Sequence, residues 1–206
     1  MADKLTNHYY TQNPDVLHEE HHWPFTLLGN ELLFTTDNGV FSKNRVDYGS
    51  RVLLAAFDAE KTPAGPWLDL GTGYGPIGLA LAKRWPERRI TMVDVNELAL
   101  ALARQNAVAN QIENVEIKTS DIYSEVTQRY AAIITNPPVR AGKSVVSTML
   151  TAAKDHLLSG GTLTVVLQKK QGAPSAKKLM TATFGNCTII KKDKGYYILE
   201  STLMSE

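Results

Sequence analysis

Residues 67–78 of this 206-residue chain, WLDLGTGYGPIG, form the first group whose types and spacing could do chemistry. An apolar stretch that carries Asp69 runs into glycines at alternate positions, Gly71, Gly73 and Gly75. Glycine permits positive φ and lets a ligand approach the bare backbone, and a proline then stands where a helix would begin. These residues predict a strand, a turn and a helix that together cradle a small molecule.

The kind of ligand follows from the charges around the glycines. Gly73, Gly75 and Gly78 satisfy GxGxxG, and Asp94 lies about twenty residues further on, as in dinucleotide-binding sequences. A carboxylate at Asp69 would nevertheless repel a pyrophosphate at the start of a helix, where anions bind. It suits a cationic ligand, and S-adenosylmethionine (AdoMet) carries an ammonium and a sulfonium beside a ribose that Asp94 can hold. We therefore expect AdoMet as the cofactor, with a dinucleotide or a plain glycine turn as the alternatives.

The second group, TNPPVR, directly follows an apolar stretch at residues 130–135. Two prolines fix the backbone and cannot donate N–H bonds. What remains is a rigid set of acceptors, the side-chain oxygen of Asn136 and the carbonyls of Asn136 and Pro137. An exocyclic amino group is a double donor, and this set can hold one with its lone pair directed away. We predict Asn136, Pro137 and Pro138 as catalytic residues, with a simple proline turn as the alternative.

Positive charge is concentrated in the last third of the chain. Residues 136–206 carry ten Lys and Arg against four Asp and Glu, although the formal net charge of the whole chain is only +1. Such a basic region favours an anionic partner such as nucleic acid, with ordinary solvated lysines as the alternative. Arg140, Lys143 and Lys169 follow predicted strands and are candidate phosphate contacts, although Arg140 could instead cap a helix or pair with a carboxylate.

Histidines near the N-terminus match the HExxH spacing of zinc-binding helices, at residues 18–22. Pro14 and Pro24 lie close on either side and would stop a helix almost at once. No third ligand is evident. We therefore predict a charged, solvated segment and no metal site.

Composition indicates one globular domain in a reducing compartment. Hydrophobic residues make up 43% and charged residues 21% of the chain, which is ordinary for a soluble protein. The single cysteine, Cys187, excludes an internal disulfide, and no apolar run approaches the roughly 18 residues of a membrane span. We expect a cytoplasmic protein with an N-terminal extension, residues 1–25, and a single domain, residues 26–206. The sequence indicates no oligomeric state.

The elements that must position these groups follow from hydrophobic periodicity. Short apolar pieces separated by turn signals predict a β-meander at residues 25–42, and a helical stripe follows at residues 47–56. Beyond them, strands are predicted at residues 67–70, 89–95, 115–119, 130–135, 162–168, 187–192 and 196–203. Helices are predicted from residue 76 and at residues 97–110, 143–158 and 175–184.

This alternation is typical of a Rossmann-like α/β fold, with a seven-stranded, mostly parallel sheet and helices on both faces. A hairpin signal before the final strand makes that last strand antiparallel. Ligands of such sheets bind beyond the carboxyl ends of the strands. Asp69, Asp94, Asp121, Asn136 and Lys169 all fall at such ends, so we expect one shared site.

The glycine stretch, two downstream aspartates and the NPP sequence together resemble the class I AdoMet-dependent N-methyltransferases. The longer TNPPVRAGK at residues 135–143, with GVFS at residues 39–42 and YGSRVLL at residues 48–54, makes the resemblance more specific. It is similar to the small-subunit ribosomal RNA guanine-N2 methyltransferase family, the methyltransferase small domain. The resemblance covers residues 25–203, nearly the whole chain.

The resemblance implies a role for each residue at a matching position. The methionine part of the cofactor would lie on the glycine turn and Asp69. The ribose would be held by Asp94, and the adenine by Asp121. The cofactor-binding residues expected on this basis are Asp69, Gly71, Thr72, Gly73, Gly75, Asp94, Val95, Asp121, Ile122 and Asn136. The target amino group would be held by Asn136 and Pro137. Further substrate contacts are expected from Phe41, Val139, Arg140, Lys143 and Lys169.

Val139 separates this chain from two related groups of enzymes. Adenine-N6 and glutamine-N5 methyltransferases usually have an aromatic residue after NPP, which stacks on the target. The resemblance therefore implies AdoMet-dependent methylation of guanine N2 in ribosomal RNA, with RNA as the partner. Methylation of adenine N6, of a protein glutamine or of a small amine is the alternative within the enzymes. A non-catalytic cofactor- or RNA-binding module is the alternative outside them.

Overall fold

The computed structural model describes residues 19–38, 40 and 45–205. The strands are β1 (His21–Leu27), β2 (Asn30–Thr36), β3 (Trp67–Leu70), β4 (Ile90–Asp94), β5 (Val115–Thr119), β6 (Tyr130–Thr135), β7 (Leu157–Gln168), β8 (Thr188–Asp193) and β9 (Tyr196–Thr202). The helices are α1 (Tyr48–Ala56), α2 (Pro76–Arg84), α3 (Glu97–Ala109), α4 (Lys143–Thr151) and α5 (Ala173–Phe184). Short 3₁₀ turns lie at Ala59–Lys61, Val139–Ala141, Ala152–His156 and Lys169–Gln171.

Seven strands form one sheet in the order β5-β4-β3-β6-β7-β9-β8. β3 and β6 lie near its centre, and every residue of both is buried, which explains their nearly continuous apolar sequences. β9 runs antiparallel to both β7 and β8, whereas the other neighbouring strands are parallel. The predicted Rossmann-like sheet with an antiparallel last strand is confirmed.

Successive side chains of β3 point to opposite faces of the sheet and enter two separate cores. Trp67 packs on one face with residues of α1, α2 and α3, including Leu53 and Leu81. Leu68 packs on the other face with residues of α4 and α5, including Met149 and Met180. Helices therefore cover both faces, as predicted. None of the helices in residues 19–38, 40 and 45–205 has the length and apolar character that a bilayer crossing requires.

The helix predicted at residues 143–158 is the main correction to the fold. α4 ends before a 3₁₀ turn, and β7 already begins at Leu157, which pairs with Tyr130 before the register shifts. Gly160 and Gly161, which follow the predicted helix, therefore lie within a strand. A Cβ at Gly161 would lie 3.0 Å from the carbonyl oxygen of Tyr130, so this irregular pairing requires glycine.

The hairpin of β1 and β2 begins earlier than predicted, because residues 21–24 of the expected N-terminal extension pair with β2. Pro24 is accommodated because β1 has one neighbouring strand among the described residues, and prolines are tolerated in edge strands. His21 and His22 of the HExxH match lie in this strand, while His18 lies outside the described residues. No three His, Cys, Asp or Glu side chains of the described ranges are grouped to hold a metal.

Asn106 of α3 and Asn110, the C-cap of the same helix, hold the hairpin against the domain. The Asn106 side chain accepts a hydrogen bond from the Thr35 N–H (2.7 Å) and donates to the Thr35 carbonyl (3.1 Å). One turn later, Asn110 makes the same pair of bonds with the backbone of Leu33, at 2.8 and 2.7 Å. Asn106 also donates to the Tyr74 carbonyl (3.0 Å). These bonds satisfy the outer edge of β2, which would otherwise be unpaired.

Replacing Asn106 by alanine tests this attachment. Asn106 is fully buried, so Asn106→Ala leaves buried backbone groups of Thr35 and Tyr74 without partners. We expect the free energy of unfolding to fall by about 2–4 kcal/mol, since each such group costs about 1–3 kcal/mol. Urea denaturation of both proteins measures the difference. The control is Val108→Ala on the same helix, where the side chain is 79% exposed and a change within about 0.5 kcal/mol is expected; equal effects of the two variants would contradict the assignment.

Candidate functional site

A cavity of about 570 Å³ opens at the carboxyl ends of the central strands. Its volume lies in the range of about 300–1,000 Å³ that is typical of small-molecule sites. Four loops contribute to it, the glycine turn after β3 and the segments that follow β4, β5 and β6. The predicted site residues that line it are Gly71, Thr72, Gly73, Asp94, Val95, Asp121, Ile122, Asn136, Pro137, Pro138, Val139 and Arg140.

The glycine turn has the backbone that its sequence predicts. Gly71, Gly73 and Gly75 have φ values of +77°, +59° and +98°, which favour glycine. Gly75 does not line the cavity and instead precedes α2. Gly78 serves close packing, because a Cβ there would lie 2.7 Å from Met92 Cγ. The turn is thus fixed by its own backbone and by the approach of α2 to the sheet.

Asp69 lies behind this turn and not in the cavity. Its side chain is fully buried, and its Oδ2 accepts hydrogen bonds from Thr72 Oγ1 (2.5 Å) and the Gly78 N–H (2.8 Å). Asp69 is absent from the cavity lining, and its two hydrogen bonds hold the turn; its contact with the cofactor stays a prediction. Burial raises the pKa of Asp69 to about 7, and no described residue bonds its other oxygen.

Asp94 closes the turn from the adjacent strand. Its Oδ2 accepts from the Gly73 N–H (2.8 Å), and its Oδ1 accepts from the Asn96 N–H (2.9 Å). Burial raises the pKa of Asp94 despite these bonds. A carboxylate has about four lone-pair sites, so each oxygen can accept another donor from the cavity. Asp94 can therefore hold two neighbouring hydroxyls, as the ribose prediction requires.

The loop after β5 supplies an apolar surface beside Asp94. Ile122 has φ +52°, a strained value for a β-branched residue, of the kind that clusters at functional sites. Ser120 stabilises this conformation by donating from its Oγ to the Ile122 carbonyl (2.9 Å). Ile122, Val95 and Ala99 line the same cavity and can contact a flat ring, while Asp121 is exposed at the rim.

The NPP segment is anchored to two other elements. Thr135 Oγ1 donates to the Leu70 carbonyl (2.7 Å), which joins the ends of β6 and β3. Asn136 Nδ2 donates to Asp47 Oδ2 (2.9 Å) and Ser50 Oγ (3.0 Å), both at the start of α1. No hydrogen bond from a described residue reaches Asn136 Oδ1. Asn136 lines the cavity, so this oxygen is available to a donor there.

The carbonyls of the two prolines are partly used within the loop. Pro137 O accepts from the Val139 N–H and Pro138 O from the Ala141 N–H, each at 2.9 Å. A carbonyl oxygen has two lone pairs. Pro137 therefore retains one lone pair for a second donor, so its carbonyl can accept beside Asn136 Oδ1; these are two of the three acceptors predicted from the sequence.

Only some of the expected substrate contacts line the cavity. Val139 and Arg140 line the cavity. Lys143 and Lys169 are exposed and do not line it; they begin α4 and the 3₁₀ turn after β7. Phe41 lies outside the described residues.

Residues at the start of α1 and on the last strands were missed by the sequence reasoning. Asp47, Ser50, Gln168 and Tyr196 line the cavity, and Gln168 Nε2 donates to the Tyr196 hydroxyl (2.7 Å). The sequence marks Asp47 only as a residue suited to cap a helix. Its neighbour in space, Asn136, is 89 positions away, so no local pattern indicated the contact.

Cations and aromatic rings adjoin the mouth of the cavity at Tyr196. The Tyr48 ring lies 5.6 Å from the Tyr196 ring, with Arg51 4.7 Å and Lys194 4.9 Å from the centre of the Tyr48 ring. The Lys169 N–H donates to the Gly195 carbonyl (2.8 Å). This bond places Lys194 in the β8–β9 turn beside the lysines that follow β7.

The arrangement combines a nucleoside-sized site with an acceptor for an amino group. Asp94, Ile122 and the glycine turn fit a ribose, an adenine ring and the chain attached to them. Asn136 lines the same cavity. This arrangement can bring AdoMet and an amino group together.

Comparisons with known proteins agree with this chemistry. The family described as "Methyltransferase small domain" matches residues 31–200. The uncharacterized protein YbxB of Bacillus subtilis is 45% identical over 199 residues, which cover 96% of this chain and 98% of YbxB. Ribosomal RNA small subunit methyltransferase C of Aeromonas hydrophila is 42% identical over 132 residues, covering 62% of this chain and 37% of that protein.

A solved structure provides a further comparison. The T. thermophilus 16S rRNA N2 guanine methyltransferase RsmC, in complex with AdoMet and guanosine, aligns with a TM-score of 0.80 and 25% identity. The alignment covers 89% of this chain and 50% of that one. The chain therefore spans about half or less of the ribosomal RNA methyltransferases that it matches.

The raised pKa of Asp69 predicts a pH-dependent contribution to stability. Its folded-state pKa of about 7 lies above the ordinary 3.8, so the folded protein binds this proton more tightly than the unfolded chain. The contribution favours folding below pH 4 and is lost as the pH rises through 7. Relative to Asp69→Asn, the wild type should therefore lose about 2–3 kcal/mol of unfolding free energy between pH 5 and pH 8.

Urea denaturation of the cofactor-free protein at several pH values measures this difference. Groups common to both proteins cancel, so the difference isolates residue 69. Glu113→Gln, at an exposed carboxylate, is the control and should show no such trend. A constant difference between the wild type and Asp69→Asn would show that burial does not raise this pKa.

Proposed function

The chain is an AdoMet-dependent methyltransferase that belongs to the methyltransferase small domain family, and from this premise we propose that it methylates N2 of a guanine in small-subunit ribosomal RNA. The names of the relatives support this substrate: A. hydrophila ribosomal RNA small subunit methyltransferase C and T. thermophilus RsmC, whose complex contains guanosine. One observation within this chain carries the proposal. The Asn136 amide has its Nδ2 bound to Asp47 and Ser50, so its Oδ1 can accept a hydrogen bond from an amino group in the cavity.

Residues of this chain would hold the cofactor at the glycine end of the cavity. Asp94 binds the ribose hydroxyls, Ile122 and Val95 contact the adenine, and the turn around Gly73 contacts the methionine part. Bound AdoMet supplies a methyl group activated by a sulfonium. The hydrogen bond from the Gly73 N–H to Asp94 Oδ2 (2.8 Å) joins the ribose site to the turn. The two parts of the cofactor site are therefore positioned together.

Asn136 and Pro137 act on the target nitrogen. Guanine N2 carries two N–H donors, and its lone pair is delocalised into the ring. When Asn136 Oδ1 and the Pro137 carbonyl accept these two hydrogens, the lone pair is left perpendicular to them. The same acceptors stabilise the positive charge that develops on nitrogen during transfer. The remaining contribution is positioning of the nitrogen.

The target base must leave any duplex before it can reach Asn136. In double-stranded RNA the N2 amino group faces a groove, and enzymes that modify a base act on an unpaired or extruded nucleotide. Val139 and Arg140 line the cavity next to the acceptors. We place the base against Val139, with a flanking phosphate at Arg140.

The adjoining RNA would follow the basic surface formed by Lys169, Lys170 and Lys194, hereafter the lysine ridge. All three lysines are exposed, and the bond from the Lys169 N–H to Gly195 (2.8 Å) brings the two segments together. Tyr196 connects the ridge to the cavity. Phosphates of a strand whose base enters the cavity can therefore reach these lysines.

Asn136→Ala tests the catalytic part of the proposal. Loss of one preorganised polar partner should raise the barrier by about 2–4 kcal/mol, while AdoMet affinity measured by calorimetry stays the same. The assay is transfer of tritiated methyl groups to small-subunit ribosomal RNA, with DNA, protein and small amines as competing acceptors. Mass spectrometry of the product should identify N2-methylguanine. Asn30→Ala, at the start of β2, is the control and should keep the full rate.

Two results would contradict this proposal. An unchanged rate in Asn136→Ala would remove Asn136 from the reaction. Methylation of adenine N6, of a protein glutamine or of a small amine, with none at guanine N2, would overturn the substrate while leaving the methyltransferase activity in place.

If RNA follows the lysine ridge, removing its charges should weaken the salt dependence of RNA binding. Lys169→Gln combined with Lys194→Gln should reduce the slope of log K against log salt by about 0.7–0.9 for each phosphate that the protein no longer neutralises. Binding of a small-subunit ribosomal RNA fragment, measured by filter binding between about 50 and 200 mM salt, gives the slope. The matched control is Lys177→Gln with Lys178→Gln on α5, which removes the same charge elsewhere. Equal slopes for the two double variants would place the RNA away from the ridge.

A further inference from the structure

The two ends of the Asn136 amide have opposite hydrogen-bonding properties, and only one of them suits the proposed reaction. Oδ1 accepts hydrogen bonds and Nδ2 donates them. A half-turn of the amide exchanges the two atoms with almost no change in shape. A flipped Asn136 would present donors to an amino group, which is itself a donor. The site therefore needs a neighbour that distinguishes the two orientations.

Asp47 is the neighbour with this property. An ionised carboxylate can only accept hydrogen bonds, and Asp47 Oδ2 lies 2.9 Å from Asn136 Nδ2. Ser50 Oγ, at 3.0 Å from the same nitrogen, is a hydroxyl that can either donate or accept, so it tolerates both orientations. A flipped amide would place Oδ1 against the Asp47 carboxylate, where two acceptors repel each other.

We infer that Asp47 is a positioning residue for methyl transfer, which directs Asn136 Oδ1 toward the target amino group. This inference rests on the proposed role of Asn136 as the acceptor of that group. It requires a target amino group but does not require that the group belong to guanine. Asp47 acts through Asn136 and so differs from the residues that hold the target directly.

The start of α1 holds Asp47 in place for this role. Its Oδ2 also accepts from the Ser50 N–H (3.3 Å) as the N-cap of the helix. Gly49 permits the close packing there, because a Cβ would lie 2.9 Å from Asp47 Oδ2 and 2.8 Å from Tyr196 Cε1. The carboxylate is thus positioned by the helix backbone and by the ring that borders the cavity.

The negative charge of Asp47 has a second effect on the reaction. It lies beside the Nδ2 end of the Asn136 amide and draws the positive end of the amide dipole toward itself. The Oδ1 end then carries more negative charge, which favours a nitrogen that becomes cationic. Both effects vanish when the carboxylate becomes a neutral group that can also donate.

Asp47→Asn is the variant that tests this inference. Asparagine has the same shape and is as good an N-cap as aspartate, so the fold is preserved. We expect kcat to fall at least tenfold, while the thermal midpoint, the Kd for AdoMet and the KM for RNA change little. Asp58→Asn is the matched control, because Asp58 caps the Ala59–Lys61 turn through the Glu60 N–H (3.1 Å) and does not line the cavity.

A double-mutant cycle separates positioning from an independent contribution. If Asp47 acts through Asn136, Asp47→Asn should change the rate of Asn136→Ala less than twofold. A further tenfold loss in that background would show that Asp47 acts on the substrate or the fold by another route. An unchanged kcat in Asp47→Asn alone would overturn the inference.

Side-chain amide NMR provides a readout that does not depend on activity. The Asn136 Nδ2 resonances, identified by their loss in Asn136→Ala, should move when Asp47→Asn removes the carboxylate, and they should stay in place in Asp58→Asn. Resonances that do not move in Asp47→Asn would show that the bond is absent in solution. The wild type tests the substrate separately, because absence of N2-methylguanine refutes the guanine proposal whatever the Asp47 variant does.

Discussion

The ligand-binding edge of this protein depends on the two hydrogen bonds that the buried Asp69 carboxylate accepts. Thr72 Oγ1 and the Gly78 N–H are drawn to a single oxygen, and this ties the glycine turn to both the strand before it and the helix after it. The glycine turn positions the Gly73 N–H so that it donates to Asp94 Oδ2. A buried acidic group is costly unless it is hydrogen-bonded. Here the two hydrogen bonds offset part of this cost, and they fix a backbone that a ligand can approach without rearrangement.

The Asn136 half of the site is held in a different way, by contacts between distant parts of the chain. Thr135 bonds to the end of β3, and Asn136 bonds to the start of α1. Because β3 and β6 are adjacent parallel strands, the two halves of the site meet where these strands end. The cavity therefore combines a locally determined turn with an acceptor that the tertiary structure orients.

Sequence reasoning succeeded where structure follows from neighbouring residues. The alternating strands and helices were predicted, and so was AdoMet, but the argument for AdoMet assumed that Asp69 faces the ligand. Burial of Asp69 is a property of the packed layers, which the sequence pattern did not reveal. Asp47 was missed because its partner, Asn136, is remote in sequence. The helix at residues 143–158 was extended too far, because its apolar period continues into residues that pair with β6.

The attachment of the β1–β2 hairpin has a consequence for how the protein can be altered. Asn106 and Asn110 bind the main chain of β2, and main-chain atoms are identical whatever side chains a strand carries. The β2 side chains that insert into the apolar core are Leu32 and Phe34. The exposed positions of β2, Glu31 and Leu33, are therefore interchangeable. Foreign strand sequences can be grafted there while α3 continues to recognise the segment by its peptide groups alone.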